Sequence, residues 1–179
     1  SVGISQASVV DSDEKLAERV RFVHERLGTD AIAEKFIEGR EIYVSAMGNQ
    51  RLVAFPAWEL VVENKPENAP LIATAKVKHD VEYQQRHGIE IRAAELTAEQ
   101  AAFLAHVSKR IYKILELSGY ARIDFRLGGD GQFYFLEANP HPEIAEREEF
   151  ASAARHAGVE YSELLQRILS LGMRQGRVE

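Results

Sequence analysis

The sequence predicts an α+β protein, on three observations. Apolar residues recur at helical spacing over 16–27, again over 103–115, and near the C-terminus. Between and after the first two of these stretches, short β-rich segments alternate in polarity. Gly-containing turn sequences join those segments, as antiparallel hairpins require.

The chain opens with "SVGIS", small and hydroxyl-bearing, with Gly3 as a hinge. Such a segment suits a loop whose N–H groups approach a ligand closely, or a frayed terminus. "VVDSDEKLAERVRFVHERLGTD" reads as one amphipathic helix. Asp11 and Glu14 are spaced for a capping box, Ser12 is the alternative cap, and Gly28 is placed to end the helix. "AIAEKFIEGREIYVSAMGNQRLVAFPAWELV" reads as strand, turn at "EGRE", strand, turn at "GNQR", strand. Residues 63–95 are the least regular stretch, a polar loop long enough to be functional. At "TAEQ" a capping box starts a helix with Phe103, Val107, Ile111, Ile114 and Leu115 as its apolar stripe, ending near Gly119. "YARIDFRL" and "QFYFLEAN", joined by "GGDG", form a hairpin. Helices around 146–157 and 162–172 close the chain, with Gly158 between them and Ser162 as a cap. Leu164, Leu165, Ile168 and Leu169 form a narrow stripe there, read as core, with the face of a homodimer as the alternative.

Composition narrows the function classes. The chain has 179 residues and a net charge of −6, which argues against nucleic acid as a partner. It has no cysteine, so disulfides, thiolate zinc sites and a cysteine nucleophile are excluded. No apolar run approaches the ~20 residues of a membrane span, and no secretory core is present. The expectation is a soluble, cytoplasmic protein without membrane partners.

The chemistry concentrates in "RIDFRLGGDGQFYFLEANPHP". With Leu127 paired to Gln132 across the tip, Asp124 lies opposite Phe135 and Arg122 opposite Glu137. Alternation then gathers Arg122, Asp124, Glu137 and Asn139 on one face, and Ile123, Phe125, Leu127, Leu136 and Ala138 on the other. An odd-residue loop would shift the pairing and break this grouping. Two carboxylates and an amide oxygen between apolar residues suit magnesium, which takes oxygen ligands and shares its shell with phosphates. Beside them Arg122 would hold an anion or stabilise an oxyanion. The alternative is a salt-bridged hairpin in which Arg122 neutralises Asp124 or Glu137.

"GYARIDFRL…GQFYFLEANPHP" resembles the metal-binding hairpin of the ATP-grasp superfamily, in its D-alanine–D-alanine ligase branch. "AEKFIEGREIYV" resembles that branch's adenine- and ribose-binding hinge, and "SVGIS" the second half of its phosphate loop. The three motifs occur in the family's order over nearly the whole chain. The resemblance implies an ATP-grasp-like fold, antiparallel sheets with packed helices, here as a partial domain over 1–179. Its parts would be a phosphate-loop remnant, helix and hinge-lobe strands (1–62), an irregular loop region (63–95), and a helix, metal-binding hairpin and C-terminal helices (96–179).

The resemblance also implies roles. Asp124, Glu137 and Asn139 would ligate two Mg2+ ions, with Mn2+ as a substitute, bridging the phosphates of ATP. Arg122 would act catalytically on the transferred phosphate or the tetrahedral intermediate. Ser1, Val2 and Gly3 would cover the phosphates, and Lys76 would reach them. Glu34, Phe36 and Ile37 would contact adenine, and Glu41 the ribose. The implied reaction activates a small-molecule carboxylate as an acyl phosphate and joins it to an amine. The family's lysine-bearing strand and N-terminal domain, which precede the phosphate loop, are not in these 179 residues. The expectation is therefore a ligase activity of the parent protein, with this chain alone inactive.

Departures from the family pattern fall at the amino-acid pocket. The family's Ser-Pro-Gly turn after the Asn is replaced by "NPHPEI", with Glu143 where a Gly is expected and Pro140 and Pro142 lacking N–H donors. Val77 stands where the family has a Tyr, and Tyr83 is out of register. His141 reads as a turn residue or a contact in an altered pocket. The substrate is expected to differ from D-alanine, and a non-catalytic nucleotide-binding module is the alternative reading.

Overall fold

The computed structural model describes residues 6–64 and 81–175; Ser1, Val2, Gly3, Lys76 and Val77 lie outside them. The chain divides into two compact units, Ser1–Glu38 with Val62–Glu90, and Gly39–Val61 with Ile91–Glu179.

In the first unit a short 3-10 turn, Gln6–Ser8, precedes α1 (Asp13–Phe22). Ser12 is the N-cap, its hydroxyl accepting from the Lys15 N–H at 3.3 Å. Asp11 is instead the partner of Lys15 Nζ at 2.7 Å, so the Asp11–Glu14 box is corrected in favour of the alternative cap. The helix widens into a π turn, Val23–Leu27, and ends at Gly28 with φ 65°, a conformation glycine adopts without steric cost. Within the stretch read as irregular lie α2 (Val81–His87) and β4 (Ile89–Ala93). Gly88, at φ 57°, reverses the chain between them, and its carbonyl accepts from the Glu63 N–H at 3.1 Å.

The second unit is organised by a sheet of order β4-β3-β1-β5-β6, with β2 on β1. Its strands are β1 (Gly39–Met47), β2 (Val53–Ala54), β3 (Trp58–Val62), β5 (Tyr120–Gly128) and β6 (Phe133–Asn139). β1 pairs antiparallel with β2, β3 and β5, and β5 with β6. "EGRE" is not a turn: Gly39, Arg40 and Glu41 begin β1, and residues before them are not in a strand. A Cβ on Gly39 would overlap the Leu127 carbonyl, so glycine serves here for close strand approach.

On one face of the sheet, Ile42, Val44, Ala46, Ile123, Phe125 and Leu127 pack against Leu104 and Tyr112 of α3 (Ala98–Ile114). Thr97 and Gln100 form the expected capping box. The buried line of α3 is Leu104–Ser108–Tyr112, one position from the stripe read in the sequence, and Phe103, Ile114 and Leu115 are exposed. Each fully buried aliphatic or aromatic side chain contributes about 1.5–3 kcal/mol. On the other face, Met47 and Phe55 pack with Phe150, Ala151, Ala153 and Ala154 of α4 (Glu149–His156) and Leu164 of α5 (Tyr161–Gln175). Because α5 begins at Tyr161, Ser162 lies inside its first turn. The C-terminal stripe divides: Leu164 and Ile168 join the core, while Leu165 and Leu169 are exposed. Among the described residues no helix is long and apolar enough to cross a membrane.

Candidate functional site

The α4 face of the sheet also carries a charged array. β1 and β5 pair along nine residues, placing Glu41 opposite Arg126, Tyr43 opposite Asp124, and Ser45 opposite Arg122. Across β5, Asp124 is opposite Glu137 and Arg122 opposite Asn139. Cross-strand partners share a face, so Arg122, Asp124, Glu137 and Asn139 share one, as the alternation argument expected, and Glu41 of β1 lies on the same face.

The route to that grouping differs from the expected one. Leu127 pairs with Phe133, not Gln132, because the tip holds one more residue. Gly128 and Gln132 close it through a backbone bond of 2.9 Å, and Gly131 at φ 76° permits the turn. A bulge then shifts the register between Phe125↔Phe135 and Asp124↔Glu137, leaving Leu136 as the extra residue. The two one-residue shifts sum to an even number, which restores the parity. Phe135 consequently faces Phe125, ring centroids 6.3 Å apart, and not Asp124.

Arg122 is the hub. Its Nε and Nη2 donate to Asp124 Oδ1 and Oδ2 at 2.7 and 2.8 Å, and its Nη1 donates to Glu149. The guanidinium lies over the Tyr43 ring, 4.8 Å from the centroid. Burial alone would lower its pKa, but hydrogen bonding and charge from Asp124, then the charge of Glu149, outweigh it and hold Arg122 cationic. Beside it, Tyr43 donates to Glu41 Oε1 at 2.9 Å, and Arg126 Nη2 donates to Glu41 Oε2 at 3.1 Å. Burial, reinforced by the charges of Glu41 and Asp124, pushes the Tyr43 phenol well above its ordinary pKa.

Arg122 and Asp124 are buried, Asn139 is half-buried and Glu137 is exposed. Asn139 Oδ1 accepts from the His141 N–H at 3.0 Å, closing an Asx turn over Pro140. Three oxygen donors on adjacent strands of one face fit a hard divalent cation. Among the described residues no three His, Asp or Glu side chains would hold a metal by themselves. Glu34 and Phe36 are exposed and Ile37 half-buried, in the segment before β1 that belongs to the first unit.

Alternation could have supplied two members of the array that the sequence reading passed over. Tyr43 is two residues beyond Glu41, and Arg126 two beyond Asp124. Glu149 carries no such signal, since its contact depends on how α4 docks.

The D-ala D-ala ligase C-terminus family model matches residues 1–170. The chain belongs to that family. A D-alanine–D-alanine ligase of Geobacillus thermodenitrificans is 32% identical over 173 residues, which are 97% of this chain and 44% of that protein. An uncharacterized protein of Sinorhizobium fredii, y4sG, is 30% identical over 167 residues, 93% of this chain and 48% of its own length. The D-alanine–D-alanine ligase from Bacillus anthracis complexed with ATP has a similar structure, with TM-score 0.69 and 25% identity over 92% of this chain and 48% of that one. The chain thus spans about half the length of the curated relatives it matches. Its antiparallel sheet with packed helices is the C-terminal ATP-grasp part of the D-alanine–D-alanine ligase family fold.

Proposed function

We propose that this chain is the nucleotide-binding and phosphoryl-transfer part of an ATP-dependent ligase that joins a small carboxylate to an amine. The observation that carries the reading is the shared face of Arg122, Asp124, Glu137 and Asn139 on β5 and β6. Asp124, Glu137 and Asn139 would hold Mg2+, or Mn2+ in its place, with phosphate oxygens completing the shell. When bound, the cation would neutralise charge on the phosphates of ATP.

In the proposed reaction a substrate carboxylate oxygen bonds to the γ-phosphorus, the β–γ bridging bond breaks, and ADP leaves. The amine then adds to the acyl carbon, loses a proton, and expels phosphate. Of Arg122's five N–H groups three are used by Asp124 and Glu149, leaving two to donate to the transferred phosphate or the tetrahedral oxyanion. Glu41 would share its carboxylate between Tyr43, Arg126 and ribose hydroxyls. Glu34, Phe36 and Ile37 would contact adenine, while Ser1, Val2, Gly3 and Lys76 would contact phosphates. The acceptor would differ from D-alanine, because Glu143 replaces a glycine and two prolines remove donors in the turn after Asn139.

The test is ADP release by the intact protein with Mg·ATP and pooled amino acids and small carboxylic acids, beside Glu137→Gln. Acceptor-dependent release that the variant abolishes supports the ligase. A non-catalytic nucleotide-binding module is the second reading, favoured by the engagement of Asn139 Oδ1 in its own turn. ATP bound with no ADP formed, whatever the acceptor, would support that reading instead.

A further inference from the structure

Two of the groups that hold Arg122 are local and follow from strand geometry. Asp124 is two residues along β5, and Tyr43 is the direct cross-strand partner of Asp124 on β1. The third is remote. Glu149 is the first residue of α4, brought to the sheet by the packing of that helix. Phe150, the next residue, is fully buried edge-on against Phe55 and Tyr120, with ring centroids 5.9 and 5.6 Å away. Ala153 and Ala154 pack in the same core. The docking of α4 therefore delivers a second carboxylate, itself only 6% exposed, to a guanidinium already paired in two-pronged fashion.

Neutralisation does not account for this arrangement. Asp124 alone balances Arg122, and burying another carboxylate is unfavourable unless its interactions compensate it. The helix N-terminus offsets part of that cost. Glu149 adds a third, independently anchored bond on Nη1, which fixes the guanidinium against pivoting about Asp124. It also adds a counter-charge that does not depend on Asp124. Any cation drawing on the Asp124 carboxylate weakens that residue's hold on Arg122, whereas Glu149 belongs to another element.

We infer that Glu149 is the positioning residue of this site, keeping Arg122 oriented while Asp124 is shared with a metal. The inference rests on the ligase reading above. It assigns the α4 N-terminus a role in transition-state geometry and none in nucleotide affinity.

The experiment uses the intact protein with Glu149→Gln and Glu149→Ala, and has two readouts. In steady-state ADP release with Mg·ATP and the acceptor pool, Glu149→Ala is expected to lower kcat about 100-fold, with KM for ATP within about threefold, since small misplacements cost that much. Glu149→Gln, which keeps an acceptor oxygen, is expected to lose about tenfold. In 15N-arginine NMR, the Arg122 Nε–H signal is expected to exchange slowly in wild type and faster in both variants. Unchanged kcat and unchanged Arg122 exchange would overturn the inference. So would parallel changes in kcat and KM accompanied by a lowered Tm, the pattern of a merely structural contact. If Glu149→Ala does not fold, Glu149→Gln decides by the same criteria. A wild-type protein that releases no ADP would sink the ligase reading, and the Arg122 exchange rates would then decide alone whether Glu149 fixes the guanidinium.

Discussion

Asp124 stands directly opposite Glu137 across the β5–β6 ladder, although Phe125 beside it is opposite Phe135. The extra residue, Leu136, is what keeps both carboxylates on the face of Arg122. With the register of the tip continued unbroken, Glu137 would lie opposite Ile123, in the α3 core. Deleting Ala138 moves Asn139 into that core position opposite Ile123. The expected result is loss of the magnesium-dependent rise in Tm that the proposed function predicts with ATP, with a destabilisation of about 1–3 kcal/mol for the buried amide. Deleting Leu136 instead leaves Glu137 opposite Asp124 in a regular ladder, and the rise should survive. Equal behaviour of the two deletions would refute the parity argument.

The two carboxylates should separate stability from activity. Glu137 is exposed, so Glu137→Gln is expected to change unfolding free energy by no more than about 0.5 kcal/mol. Losing the proposed metal ligand should nonetheless reduce ADP release at least about 100-fold, the upper end of what outer-shell losses cost. Asp124→Asn removes one of the two carboxylates facing a buried Arg122, leaving Glu149 as its counter-charge, and is expected to cost about 1.5–3 kcal/mol. Urea melts beside turnover assays check both, and a large stability loss in Glu137→Gln would count against its assignment as an exposed ligand.

What could be read from the sequence, and what could not, follows from the range of the interactions. The polar face of the hairpin was legible because period two is a local property of a strand. Its register was not, since neither the tip length nor the bulge at Leu136 has a compositional mark. The Thr97 capping box was legible for the same local reason. The buried line of α3 was misplaced by one residue, because Ser108 and Tyr112 are less apolar than Phe103 and Ile114, and burial there is decided by the facing sheet. Residues 81–93 read as loop because charged side chains hide the short helix and strand. Glu149 was invisible for a stronger reason: the arginine it holds is on a strand 27 residues away.

Gly39 offers a test of close strand approach. Its Cβ position overlaps the carbonyl of Leu127, a backbone atom that cannot rotate away. Gly39→Ala is expected to destabilise the second unit by about 3 kcal/mol, at or above the usual range for overpacking. A denaturant midpoint within error of wild type would show that β1 and β5 can separate at this end without loss.

Buried phenols should make the fold sensitive to alkali. Burial pushes Tyr112 up to about 12, and Tyr43 also lies well above its ordinary value. Each stays neutral in the fold at pH values where the unfolded chain, with phenols near pKa 10, has begun to ionise. Their contribution is therefore complete below about pH 10 and is lost as pH rises toward 12, at up to about 1.4 kcal/mol per pH unit for each group. Tyr112→Phe removes one of these titrations together with the 2.9 Å bond to the Gly48 carbonyl. At pH 7 that variant should be less stable than wild type by about 1 kcal/mol. As pH approaches 11 the deficit should shrink and then reverse, because wild type loses stability faster. Urea melts at pH 7, 9 and 11 measure the crossing, and a deficit that stays constant across them would mean Tyr112 ionises as easily in the fold as outside it.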